Sequence, residues 1–411
     1  MIIRDYIPTK DNQDLIRIWQ EIGWITTEKD EEEGLTIFPQ GSKSLVAEID
    51  QEVEGFVCST PARLQYLNEP LELQAITAVT VSRVARKQGI AGSITARAIA
   101  EAAGEGYQLS GLGMFEQGFY NQLGFGTGSY EHIISFDPAS LNIEVKARPP
   151  KRISAADWEK MHRSRLNRCK KHGYCTLLPA AITRAELKWT GKKGFGLGYF
   201  QEDGELSHYF WCKPDSVEHG PYFISVLVYN NAEQLLELIS LLKSLGDQVN
   251  LVKMKEPAGI QLQDLINQPF RGMRISKSSK YESVNQAVAY WQVRILDLPG
   301  AISHTQIGGN PISFNLELRD PIEKFLPAAS KWRGLSGSYI ITFGQESTVE
   351  KGSDRNLPTL KASVGAFTRL WLGVQPASGL AVTDQLAGPE QLLTKLDYQF
   401  CLPKPLIDWD F

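Results

Sequence analysis

Residues 79–92 run from a β-rich stretch through a basic, glycine-containing turn into an Ala/Ile-rich helix expected over 93–103. A strand that feeds a helix through such a turn leaves several backbone N–H groups unpaired and aimed at one spot, where the helix dipole favours an anion. Gly89 has no Cβ, so the backbone there can approach a ligand closely. Arg86 and Lys87 set positive charge at the rim. The turn therefore suits a pyrophosphate. Downstream, Phe119-Tyr120-Asn-Gln-Leu-Gly124-Phe125 fits a short helix over 115–123 that stops at its glycine.

The turn has neither the spacing of a dinucleotide-binding Gly-x-Gly-x-x-Gly nor that of a P-loop. It reads Arg86-x-x-Gly89-x-Ala91. That resembles the Gln/Arg-x-x-Gly-x-Gly/Ala motif of the GCN5-related N-acetyltransferases, which cradles the pyrophosphate of acetyl-coenzyme A. The Phe-Tyr-x-x-x-Gly-Phe segment looks like the closing motif of the same family. The resemblance implies acetyl-coenzyme A as cosubstrate. Its pyrophosphate would lie on Arg86, Lys87, Gly89, Ile90, Ala91 and Gly92, with the main chain of Val79 and Val81 along the pantetheine arm. Gln88 is uncharged within the family's basic run, which weakens one phosphate contact.

The remaining chain limits the alternatives. With 411 residues the protein exceeds one ordinary core, so two or three domains are expected. A hydrophobic content of 42% with 22% charged residues points to a globular chain. The net charge of −4 argues against nucleic acid as the main partner. No apolar run approaches the roughly 20 residues of a membrane span, and the start reads as a strand, so a cytoplasmic protein is expected. Five scattered cysteines suit reduced thiols. Cys169, His172 and Cys175 are soft ligands close together, but no fourth lies nearby; a basic helix end with small buried cysteines is expected, and no metal.

Three units emerge, expected at 1–146, 147–287 and 288–411. In the first, a helix over 11–22, an acidic solvated loop over 28–34 and strands over 44–49, 55–67 and 72–81 precede the turn; strands over 108–113 and 130–136 close the sheet. The linker Ala147-Arg-Pro-Pro150 follows. The second unit opens on a helix over 154–168 capped by Ser154. Strands over 196–202, 208–214, 222–228 and 250–255 and an apolar helix over 232–245 then repeat the order of the first unit, but Tyr229-Asn-Asn stands where the phosphate turn would be. Gly191–Gly198 is glycine-rich, yet a strand and not a helix follows, so it reads as a hairpin entry. The third unit has alternating strands over 291–297, 312–318, 338–343 and 360–364, with helices over 366–372 and 390–400.

This layout resembles the enhanced intracellular survival acetyltransferases. The fold class expected is therefore α/β (α+β): tandem acetyltransferase domains, the second degenerate, followed by a domain like a sterol carrier protein. The resemblance implies a homo-oligomer, a hexamer in that family, and acetylation of aminoglycoside-, polyamine- or lysine-like amines. By the same resemblance Tyr120 is the general acid, the carboxylate of Phe411 the base, and Asp410 a neighbour of the amine pocket. The chemistry agrees, because acetyl transfer needs a neutral amine and a proton for the departing thiolate. A tyrosine of pKa about 10 faces a thiol of about 8.5, a mismatch that a lowered tyrosine pKa would close. The alternative is a non-catalytic binding or scaffold protein whose third unit carries an apolar ligand.

Overall fold

The computed structural model describes residues 1–190 and 194–410. Its organising feature is a pair of seven-strand paths with one topology. In the first sheet, Ile2–Asp5, Lys43–Ile49, Glu52–Tyr66 and Glu69–Val81 pair antiparallel in that order. Leu109–Gly113 then adds parallel to the last of them, followed by Trp291–Ile295 and Gly126–Thr127, both antiparallel. The second sheet repeats this: Lys151–Ile153, Phe195–Phe200, Leu206–Pro214 and Tyr222–Val228, then Val252–Lys255 in parallel, then Glu131–Phe136 and Val284–Val288.

The sixth strand of each sheet comes from elsewhere in the chain. Residues 130–136, expected to close the first sheet, instead pair with Val252–Lys255 and Val284–Val288 in the second. Trp291–Ile295, expected to open the third unit, fills the vacated position in the first. Side-chain volume enforces this insertion. A Cβ on Gly128 would lie 2.0 Å from the Trp291 indole, so Gly128 is the notch that admits the strand. The strand is buried along its whole length, and both faces therefore need packing partners.

Helix Ile90–Gly104 covers the first sheet. It buries Ile90, Ile94 and Ala98 at helical spacing, and its alanines let the axis lie close to the strands. The acidic loop expected over 28–34 is in fact part of helix Lys29–Ile37. Its carboxylates have structural partners: Glu33 meets Lys188 at 2.9 Å, and Glu31 accepts the Thr26 N–H at 2.5 Å. Acidic residues in a first turn complement the helix dipole, which tipped this segment to helix. The third unit folds as a five-stranded sheet in the order Thr348–Lys351, Gly337–Phe343, Ile312–Arg319, Thr359–Ser363, Leu386–Ala387, with helices Val364–Trp371 and Glu390–Gln399 against it.

Sequence signals missed helix Ala180–Trp189, which carries Ile182, Ala185 and Trp189 at helical spacing behind Pro179. It packs on Lys29–Ile37 so tightly that a Cβ on Gly34 would sit 2.6 Å from the Trp189 indole nitrogen. This contact joins the first and second units. Of the glycine-rich stretch, residues 191–193 lie outside the described residues, and strand Phe195–Phe200 follows them.

Candidate active site

The parallel pairing of Leu73–Ile76 with Leu109–Leu112 ends at Ile76. Ala78 adopts φ 56, and the register to the neighbouring strand shifts there. This bulge turns the strand end away from its parallel partner. Val81 then pairs only with Gly55, Val79 sits in the bulge between the paired Thr77 and Thr80, and both border a cavity of about 1140 Å³.

The phosphate turn closes one end of that cavity. Lys87 and Gly89 take left-handed φ values of 61 and 79. A Cβ on Gly89 would meet nothing within 4 Å, so glycine is favoured here by backbone conformation and not by crowding. The first bond of helix Ile90–Gly104 runs from Ser93 N to Gly89 O at 3.0 Å. The N–H groups of Gly89, Ile90, Ala91 and Gly92 find no acceptor among the described residues. Arg83, Arg86 and Lys87 are exposed and form no ion pair among the described residues. Gly92 has a second duty: a Cβ there would lie 2.9 Å from Phe325 of the third unit. These groups fit a pyrophosphate-bearing cosubstrate, because unpaired donors and free cations converge on open space.

Tyr120 stands on the cavity wall, 7% exposed. The helix expected over 115–123 is only the 3₁₀ turn Tyr120–Leu123, because Gly118 takes φ 102 and breaks the chain just before it. Gly124 does cap the turn, at φ 85. Phe119 and Phe125 hold the ring edge-on at 4.9 and 6.2 Å between centroids. Burial pushes the phenol up to about 12, the opposite of the lowering that would close the mismatch with the thiol.

The far wall combines all three units. Trp19, Trp24 and Phe38 of the first unit meet Leu177, Ile182 and Trp189 of the second. Sequence reasoning missed Trp24, Trp189 and Glu186; Trp19 was visible, but only as part of a core stripe. The C-terminal segment runs between the units. Trp409 is buried, donates to Glu186 at 2.9 Å and lies under the Arg165 guanidinium at 3.4 Å. Asp408 meets Arg168 at 2.5 Å and accepts the Cys175 N–H at 3.1 Å. Asp410 lines the cavity and pairs with Lys255, which also contacts Glu131 at 2.5 Å. Phe411 lies outside the described residues.

Cys169, His172 and Cys175 have other roles. His172 Nδ1 accepts the Leu67 N–H and Nε2 lies 3.0 Å from Leu372 O, so the ring ties the first unit to the third as a neutral imidazole. Cys175 is buried in strand Cys175–Leu177. Among the described residues no cluster of three or more His, Cys, Asp or Glu is placed to hold a metal, and no helix is long and apolar enough to cross a membrane.

Residues 5–128 match the family model described as acetyltransferase (GNAT) domain. No curated protein sequence matches the chain. The fold as a whole is shared with several solved structures. A probable N-acyltransferase from Enterococcus faecalis V583 is 17% identical, with a TM-score of 0.80, 100% of this chain covered and 99% of that one. A GCN5-related N-acetyltransferase from Anabaena variabilis is 16% identical, at TM-score 0.76 with both chains fully covered (100% and 100%). Eis1 from Mycobacterium abscessus is 15% identical, also at 0.76 and 100% of each chain. The first unit is thus a GNAT acetyltransferase domain, a class that uses acetyl-coenzyme A, and the chain is an acyltransferase.

Proposed function

We propose that this chain transfers an acetyl group from acetyl-coenzyme A to a primary amine. The observation that carries the reading is the run of unpaired N–H groups at Gly89–Gly92, which opens with Tyr120 onto one cavity. Acetyl-coenzyme A, when bound, supplies the acetyl group as a thioester: the amine nitrogen bonds to the carbonyl carbon as the C–S bond breaks. Arg86, Lys87 and the amides of Ile90, Ala91 and Gly92 hold the pyrophosphate, with Arg83 as a further cation the sequence did not single out. The free edge at Val79 and Val81 offers main-chain groups to the pantetheine amides and to the carbonyl oxygen as it gains charge.

Tyr120 holds its proton throughout the neutral range; its transfer to the departing thiolate is uphill, because the phenol is the weaker acid, and is drawn on by the second amine proton, which passes to the phenolate. One proton leaves the ammonium substrate for solvent, so amine cation and thioester yield amide, thiol and a free proton. The base is assigned by resemblance to the Phe411 carboxylate, and Asp410, which lines the cavity, is its neighbour. Appending a single glycine after Phe411 tests this, since it moves the carboxylate by one residue.

The second unit serves as scaffold in this reading. Its helix Ala232–Lys243 has its N-terminus occupied by its own side chains: Asn231 accepts the Gln234 N–H at 3.0 Å, and Gln234 accepts that of Asn230 at 2.8 Å. This capping takes the Gln234 N–H, the counterpart of the Gly92 N–H that stays unpaired among the described residues of the first unit. The third unit, expected to resemble a sterol carrier protein, acts by bracing the Tyr120 turn, and the assembly is a homo-oligomer, a hexamer by the same resemblance. The decisive experiment is titration of the protein with acetyl-coenzyme A, followed by thiol release with a set of amines. Saturable binding and amine-dependent release support the reading; absence of binding removes it.

A further inference from the structure

The acceptor end of the cavity differs in charge from what a polycationic substrate requires. Three of its carboxylates already have partners. Glu21 accepts the Arg83 N–H at 3.1 Å and meets Arg17 at 3.2 Å. Glu186 is bound by Arg165 and by the Trp409 indole, and Asp410 by Lys255. Only Glu116 lines the cavity with no ion pair among the described residues, and it is exposed. A carboxylate already neutralised by a cation gains little from a second one. The remaining wall is apolar and aromatic. Trp19, Trp24, Phe38 and Trp189 form a contiguous cluster with centroids 5.0–6.2 Å apart, and Trp24 keeps 47% of its surface exposed.

We infer that the acceptor is a monoamine on an apolar, aromatic-sized body, an arylalkylamine in chemical class, and not a polyamine or aminoglycoside. The inference rests on the acetyltransferase reading above and narrows its substrate. An aromatic body displaces water from the indole faces on entry, and the single ammonium can lie over a ring until it loses its proton. A second or third ammonium would be stripped of water beside carboxylates that are already paired, at a cost the site does not return. The reaction balances as before: the N–C bond forms, the C–S bond breaks, Tyr120 protonates the sulfur, one amine proton goes to solvent and the second restores Tyr120.

The test compares kcat/KM for 2-phenylethylamine, propylamine, spermidine and kanamycin at saturating acetyl-coenzyme A, with cosubstrate binding measured separately by calorimetry. The expected result is a preference for 2-phenylethylamine over spermidine and kanamycin of about 10-fold or more, the discrimination an apolar pocket supplies. In Trp24→Ala the ratio of 2-phenylethylamine to propylamine should fall about tenfold, chiefly through KM, since an aromatic contact of this kind is worth on that order. Trp24→Phe should restore most of the ratio. Spermidine or kanamycin turning over as well as 2-phenylethylamine, or a Trp24→Ala ratio equal to that of the wild type, overturns the inference while acetyl transfer stands. Absence of acetyl-coenzyme A binding removes the acetyltransferase reading and the inference with it.

Discussion

Arg294 and Asp320 form an ion pair at 2.5 Å, both side chains fully shielded from solvent. Arg294 also donates to the carbonyl oxygen of Leu123, the last residue of the Tyr120 turn. Asp320 accepts the N–H groups of Leu335 at 2.9 Å and Ile322 at 3.2 Å. Through this pair the strand inserted at Trp291–Ile295 and the third unit together fix where the Tyr120 turn ends.

Removing one partner leaves the other charge buried and alone. Asp320→Ala should cost about 3–5 kcal/mol of stability, read as a lower urea midpoint. The double variant Arg294→Met with Asp320→Ala should lose less than the sum of the single changes, because no orphan charge remains.

Two glycines with similar φ should respond differently to alanine. At Gly89, φ 79, the new methyl meets nothing, so the cost is left-handed strain of about 1–2 kcal/mol. The main effect should be weaker acetyl-coenzyme A binding, measured by calorimetry. At Gly124, φ 85, the methyl would lie 2.6 Å from Arg294 Nη1 and 2.7 Å from Val364. Gly124→Ala should therefore lower the unfolding midpoint well beyond Gly89→Ala.

Much of this site was legible in the chain. Arg86-x-x-Gly89-x-Ala91 and Tyr120 line one cavity, and a short span of local pattern was enough to single them out as candidates. The exchange of strands was not legible. Glu131–Phe136 and Trp291–Ile295 each look like an ordinary next strand, and the choice between sheets is made by a fit such as Gly128 to Trp291, which joins positions remote in sequence. Trp189 and Glu186 were hidden for the same reason, since they enter the site from another unit. The acidity of Tyr120 was not legible, because burial, which raises a phenol's pKa, depends on packing that sequence spacing does not encode.

Tyr120→Phe should lower kcat by about 10²-fold, the scale of a lost general acid. With the phenol pushed up to about 12, wild-type activity should show no falling limb from this group below pH 10. The sign for stability follows from the raised value. Burial of neutral Tyr120 contributes fully below the unfolded pKa of about 10 and is lost as pH rises toward the folded value. Urea midpoints from pH 8 to 11 should fall less steeply in Tyr120→Phe than in the wild type.

The segment ending at Asp410 makes the last prediction. Trp409 is 2% exposed, and its indole is held between Glu186 and the Arg165 guanidinium. Asp408, one residue earlier, is fastened to Arg168 and the Cys175 amide. None of these contacts touches the phosphate turn. Loosening them should therefore leave cosubstrate binding intact and impair only the step that uses the tail. Trp409→Ala removes a large buried ring, a change worth about 3–5 kcal/mol in a closed core. A chain end can instead come away from its groove, so the expected outcome is release of the tail with the three sheets preserved. Acetyl-coenzyme A affinity should stay within about twofold, while kcat/KM for the amine falls by about 10-fold or more, as expected when a positioned group is freed. Asp408→Asn keeps the shape but weakens the pairing, and should fall between wild type and Trp409→Ala. Circular dichroism close to wild type would show that the loss is one of positioning, and unchanged amine kinetics in Trp409→Ala would exclude the tail from the reaction.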